Sequence, residues 1–261
     1  MRRAAGATLV ELVIVLVVLG IVAALSSSFV VTAVTAYNQA AERNKLILRG
    51  RAVIERMHRQ LRIALPYSVR ISASGNCLEF MQLTAGANYL GLLPDASNGA
   101  PATSVIDTAP FVLGLGNASH VAVGAMAASE IYTTATVASR TGISGLNGSP
   151  ATQISLASAH RFIRNSINER VYLMKDPERF CFEGNSLLHY SGYGLLTGLL
   201  TDADPGGQRA LLSEDINAGA PTFSLSPATE SRSALVDVNF GVSRNGETVS
   251  FNQQMLIRNV P

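Results

Sequence analysis

The chain divides by the spacing of its apolar positions. From Ala7 to Ala36 the residues are apolar or small and uncharged, and Glu11 is the only charge. A run of about 20 apolar residues is long enough to cross a bilayer as a helix. After Ala36 the pattern turns amphipathic. Leu46, Ile47, Gly50, Val53, Ile54, Met57, Leu61 and Leu65 recur at three- and four-residue steps, with Arg43, Arg49, Arg56, Arg59 and Arg62 between them. Pro66 is a natural stop. The spacing predicts one helix from Ala7 to Ala64, about 87 Å long at about 1.5 Å per residue. Its first half is apolar all round. Its second half has one stripe to bury, most simply against the chain's own sheet, and a charged face for solvent.

Past Pro66 the signals are short strands and turns. Cys77–Leu83 alternates in part, and Arg170–Met174, Arg179–Glu183 and Ser186–Tyr190 are closely spaced strand candidates. Ala234–Val242 and Thr248–Ile257 read as a hairpin across Ser243-Arg-Asn-Gly246, with Asn-Gly supplying the turn. Loops are marked at Pro94–Pro101, Thr141–Ala151, Leu200–Arg209 and Asn217–Pro221. A helix followed by an antiparallel sheet is an α+β arrangement.

Composition changes this picture only slightly. The 261 residues are 48% hydrophobic and 15% charged, enough for one sizeable core plus an anchor and too apolar for disorder. Arg2 and Arg3 account for the formal charge of +2; without them 18 basic residues face 18 acidic ones. Charge therefore gives no case for nucleic acid as a partner.

Candidate chemistry is sparse. His58, His120, His160 and His189 show no helical zinc spacing, and Ser191 in His189-Tyr-Ser-Gly-Tyr-Gly194 is no nucleophile elbow. Neither a catalytic set nor a cofactor is expected. Asp202-Ala-Asp204-Pro-Gly206 resembles the opening of a calcium loop, but Ser213 stands where the closing glutamate belongs, so a plain turn is the better reading and no metal is assigned. Cys77 and Cys181 fit no metal-ligand spacing. In an oxidising compartment they can pair; in a reducing one they remain two buried thiols.

The N-terminus has two simple readings, a secretory signal cut near Ala23-Ala24 and a plain transmembrane anchor. Glu11 weighs against both, because a carboxylate in an apolar span costs about 2–3 kcal/mol on insertion scales. The sequence Gly6-Ala-Thr-Leu-Val-Glu11-Leu12, after a short basic leader and before a long apolar run, resembles the cleavage motif of type IV prepilins. Ala7 stands where that family usually has Phe, and Ser28 where many members have Pro. The stretch Arg170–Met174 with Arg179–Tyr193, together with Ser231–Val236, Gly246–Val249 and the C-terminal Arg258–Pro261, resembles large minor pilins of the MSHA (mannose-sensitive haemagglutinin) pilus type. The J-class pseudopilins of type II secretion share the general layout.

These resemblances imply a type IV pilin-like fold, a long N-terminal helix packed on an antiparallel sheet headgroup. They imply a leader at 1–6 and a transmembrane and filament-core half-helix at 7–36. The periplasmic headgroup is then 37–261, including an amphipathic helix at 37–65. A prepilin peptidase would cut after Gly6 and N-methylate Ala7, and Glu11 would serve assembly. The inner membrane, the pilus assembly machinery and other major and minor pilins would be partners, and the chain would end in a pilus at the cell surface. The function implied is a minor pilin; a J-class pseudopilin and a single-pass anchored periplasmic enzyme or binding protein are the alternatives. One count opposes this topology: Arg43, Lys45, Arg49 and Arg51 outnumber Arg2 and Arg3, which on charge alone would keep the headgroup in the cytoplasm.

Overall fold

A computed structural model of the chain describes residues 8–114, 116–217, 222–229 and 232–257. The first element is helix α1, Leu9–Leu61. It stops three residues short of Ala64 because the chain turns into the sheet there. The Leu83 N–H donates to the Ile63 carbonyl at 2.8 Å and the Leu65 N–H to that of Met81 at 3.0 Å. Pro66 then opens a single 3-10 turn, Pro66–Ser68.

Thirteen strands follow among the described residues: β1 (Arg70–Ile71), β2 (Cys77–Asn88), β3 (Thr103–Phe111), β4 (His120–Val123), β5 (Arg140–Gly148), β6 (Ala151–His160), β7 (Arg170–Glu183), β8 (Ser186–Ser191), β9 (Gln208–Ser213), β10 (Ile216–Asn217), β11 (Phe223–Ser226), β12 (Ala234–Arg244) and β13 (Glu247–Ile257). A four-residue helix α2, Ala128–Ile131, lies between β4 and β5. Every strand pair is antiparallel, so the chain is α+β.

β7 organises the larger sheet. β2 runs along one edge; the other edge is shared by β4, up to Met174, and β8, from Arg179. The two strand candidates around Lys175–Glu178 are therefore one strand. Pro177 interrupts nothing because that edge faces neither β4 nor β8 at its position. From β4 the order continues through β5 and β6 to β3. β3 then returns to β2: Tyr89 bridges Thr108, and the Leu90 N–H donates to the Asp107 carbonyl at 2.8 Å. These strands wrap a core of Tyr89, Ile106, Val121, Ile154, Phe162 and Leu173 that α1 does not enter.

Thr141–Ala151, expected as a loop, is instead nearly all of β5 with the turn into β6. Its Gly142, Gly145, Asn147 and Gly148 read as loop residues, yet the backbone pairs while few side chains are buried. Gly148 serves the turn itself, with φ +97° and the Pro150 carbonyl 2.8 Å from where a Cβ would stand. The C-terminal hairpin forms as its Asn-Gly pair dictates: Arg244 faces Glu247, and Asn245 and Gly246 both have positive φ. It belongs to a four-stranded sheet in which β12 also pairs β10 and β11. α1 closes a second core against this sheet and the β2–β7 face.

Candidate functional site

The features that point to function lie along α1. Thr8 caps the helix, its Oγ accepting the Glu11 N–H at 3.4 Å. Every residue from Leu9 to Ala40 is exposed. This is the one helix among the described residues long and apolar enough to cross a membrane, and its best window reaches a mean hydropathy of 2.9. Over these residues the helix is about 48 Å long, more than the roughly 30 Å of a bilayer's hydrocarbon core. So much apolar surface is unfavourable in water and calls for lipid or other helices around it. The hydroxyls in the span do not interrupt it. Ser28, Thr32 and Thr35 donate to the Leu25, Ser28 and Thr32 carbonyls, each at 2.9 Å, and the helix runs unbroken through Ser26-Ser27-Ser28.

Below Ala40 the same helix carries the headgroup. Leu46, Gly50, Val53, Met57 and Leu61 form one buried stripe. Each fully buried large side chain contributes on the order of 1.5–3 kcal/mol. Gly50 is required by a close approach: the Phe251 ring of β13 sits 2.1 Å from where its Cβ would be. Arg49 adds an ion pair to Asp215 at 2.5 Å. The apolar rod is thus fixed to its headgroup through four turns of helix.

Glu11 lies two residues after Leu9, about 3 Å along the axis from the start of the helix. In a membrane-held chain that depth is near the interface, where a carboxylate costs much less than at the bilayer centre. The cost rises when the helix leaves lipid for the dry interior of a helical assembly. Gly6 and Ala7 lie outside the described residues.

Cys77 and Cys181 are bonded, Sγ to Sγ at 2.02 Å, and face each other across β2 and β7. Two residues along the same strands Glu79 faces Arg179. Glu79 is fully buried and receives three charged or polar donors: Arg70 Nε at 2.5 Å, Arg179 Nη2 at 2.9 Å and the Tyr193 hydroxyl at 2.9 Å. Burial is the largest influence on Arg179 and opposes its charge, but the bond to Glu79, the Glu79 charge and Tyr193 together outweigh it and hold the guanidinium above its ordinary range. Burial, then the Glu79 carboxylate, pushes the Tyr193 phenol well up, so it stays a donor. Arg70 and Arg179 also donate to the carbonyls of Leu196, Gly198 and Ala203, stitching the segment after β8 to the sheet. This network was not anticipated. Its signal was the mirrored pair Cys77-Leu-Glu79 and Arg179-Phe-Cys181: once the cysteines oppose each other in antiparallel strands, Glu79 must meet Arg179.

His120, His160, His189, Asp202 and Asp204 have structural partners. His120 Nε2 lies 2.9 Å from Asp176, His189 Nε2 2.9 Å from Glu178, and His160 Nε2 2.8 Å from the Ala138 carbonyl. Burial, helped by Arg140, holds the His120 imidazole below its usual range. Asp202 accepts from Ser74 at 2.5 Å and Asn76 at 3.2 Å, and Asp204 accepts its own turn's Gly206 N–H at 2.8 Å.

The disulfide closes a span of 104 residues. Removing such a cross-link costs about 4 kcal/mol in the chain-entropy model. Alkylation of the denatured, unreduced protein is expected to label neither cysteine. The Cys77→Ser/Cys181→Ser variant should melt roughly 10 °C lower. Full labelling without reductant, or an unchanged melt, would count against a stabilising bridge.

Residues 1–27 match the family described as the prokaryotic N-terminal methylation motif. No curated protein and no solved structure matches the chain.

Proposed function

We propose that this chain is a minor pilin, a structural subunit of an MSHA-type type IV pilus that helps to initiate or assemble the filament. The observation that carries the reading is a conjunction. A prokaryotic N-terminal methylation motif over residues 1–27 opens a helix whose apolar half is wholly exposed and whose other half bears a folded headgroup. Such a helix suits two environments in turn, the bilayer before assembly and a bundle of like helices afterwards.

In this reading residues 1–6 are a leader removed by a prepilin peptidase, and residue 7 becomes the methylated N-terminus. Residues 7–36 hold the chain in the inner membrane, with 37–261 in the periplasm. The assembly machinery then transfers it into a pilus beside other major and minor pilins. The chain itself has no turnover and no cofactor; the peptidase and the assembly machine act on it. The sequence resemblance of Arg170–Met174, Arg179–Tyr193 and Ser231–Val236 to the MSHA minor pilin MshO is what favours this assignment over a J-class pseudopilin, which shares the motif and the layout.

Mass spectrometry of the mature protein is the test. Loss of Met1–Gly6 and one added methyl on Ala7 is the expected result. A chain beginning near Leu25 would establish ordinary signal cleavage, and an intact Met1 a plain anchor; either overturns the proposal.

A further inference from the structure

Charge is unevenly spread along the chain. Residues 41–62 carry seven Arg or Lys against two Glu, whereas residues 63–261 carry 11 basic against 15 acidic. On α1 the side opposite the buried stripe holds this excess. At about 100° per residue, Leu48, Ala52 and Arg59 lie along its middle, flanked by Arg51 and Arg62 on one side and Arg56 on the other. All six are exposed, and the four arginines make no ion pair with any described residue. Glu55 is the lone carboxylate among them. Two small or apolar positions, Leu48 and Ala52, set among four arginines that lack ion pairs have the form of a selective helix-pairing surface.

Two considerations decide what covers it. Arg51 and Arg62 lie about 22 and 39 Å along the axis beyond Ala36, too far for lipid headgroups if the helix stands upright. A second copy of this chain is also a poor occupant. In the bilayer the shared apolar span holds two copies at the same height, and a four-residue offset between filament neighbours would shift the face by only about 6 Å, so arginine still faces arginine, and juxtaposed like charges are a device for rejecting a partner.

We propose that the arginine face of α1 is a docking surface for the acid-bearing helix of a different, neighbouring subunit, and that it rejects a second copy of this chain. The inference rests on the filament-subunit reading. It makes this protein an obligate heterotypic neighbour, incorporated singly rather than in runs.

The test uses the full mature chain in phosphatidylcholine nanodiscs, with pairing read by energy transfer between labelled copies. The probe is the charge-reversed chain R51E/R56E/R59E/R62E, with R59Q/R62Q as a milder variant in case the former fails to fold. Mixed pairs of wild type and reversed chain should exceed wild-type pairs at least tenfold at roughly 0.05 M NaCl, and the excess should collapse at roughly 0.5 M, where exposed charges are screened. R59Q/R62Q should pair with itself more readily than wild type does. Equal pairing in every combination, or an excess indifferent to salt, would overturn the proposal. So would substitutions that alter only retention on phosphatidylglycerol vesicles, since lipid would then be the occupant. The N-terminus of the same sample is determined alongside, so that failure of processing, which strikes the filament reading, is distinguishable from failure of the docking surface.

Discussion

Replacing Glu11 by alanine is expected, on the filament-subunit proposal, to leave membrane insertion, cleavage and headgroup folding intact while weakening incorporation beside partner subunits by over a hundredfold. The proposed partner is the α-amino group that cleavage after Gly6 would create at Ala7, which would remain basic after methylation. Within one chain the two groups are four residues apart, about 6 Å along a helix, so pairing within the subunit competes with pairing between neighbours. Between neighbours the pair would lie among apolar helices without water, where its attraction is strongly distance-dependent and sets the axial register. Removing one partner there strands the other, at about 3–5 kcal/mol. The structure adds a second candidate role. Thr8 and Glu11 have the Thr-x-x-Glu spacing of a capping box, and Thr8 already accepts the Glu11 N–H. Glutamine serves a capping box as well as glutamate does but carries no charge. Glu11→Gln should therefore fail in assembly as Glu11→Ala does. The measurement is crosslinking to partner pilins, with processing checked in parallel. Normal capture of partners by Glu11→Ala would remove the intersubunit role, and rescue by glutamine would reassign the residue to helix capping.

The helix and the C-terminal hairpin were legible because their signals are local. A 3.6-residue stripe from Leu46 to Leu61 and an Asn-Gly turn each specify structure without reference to the rest of the chain. The helix end was misplaced because Ile63 and Leu65 are claimed by β2, a long-range pairing that propensity does not register. β7 was split in two for a related reason. Lys175-Asp-Pro-Glu178 has the composition of a turn, and only the gap between β4 and β8 explains why it stays extended. The β5–β6 hairpin was hidden by its glycines. The N-terminal methylation motif was readable from sequence, whereas the Glu79 cluster depends on strand register, which the separated segments do not reveal singly.

Glu79→Ala is expected to damage the headgroup severely, lowering its melting temperature by roughly 10 °C. The carboxylate has no exposed surface, Arg179 beside it is 2% exposed, and the Arg70 side chain is 11% exposed. Alanine would leave two guanidiniums close together with no counter-charge, Arg179 having almost no access to water. Breaking a buried pair by removing one partner typically costs about 3–5 kcal/mol. The damage should also spread to residues 196–203, whose carbonyls the two arginines hold, and appear there as faster amide exchange while the disulfide stays closed. Removing both sides of the pair separates charge from packing. A buried ion pair replaced by apolar groups of similar size is often close to neutral, because the desolvation of both ions is avoided. Glu79→Met/Arg179→Met is therefore expected to recover much of what Glu79→Ala loses, with Arg70 turning toward solvent. If the double variant melted as low as Glu79→Ala, the stabilisation would reside in the bonds from Arg179 to the segment after β8, not in relief of buried charge.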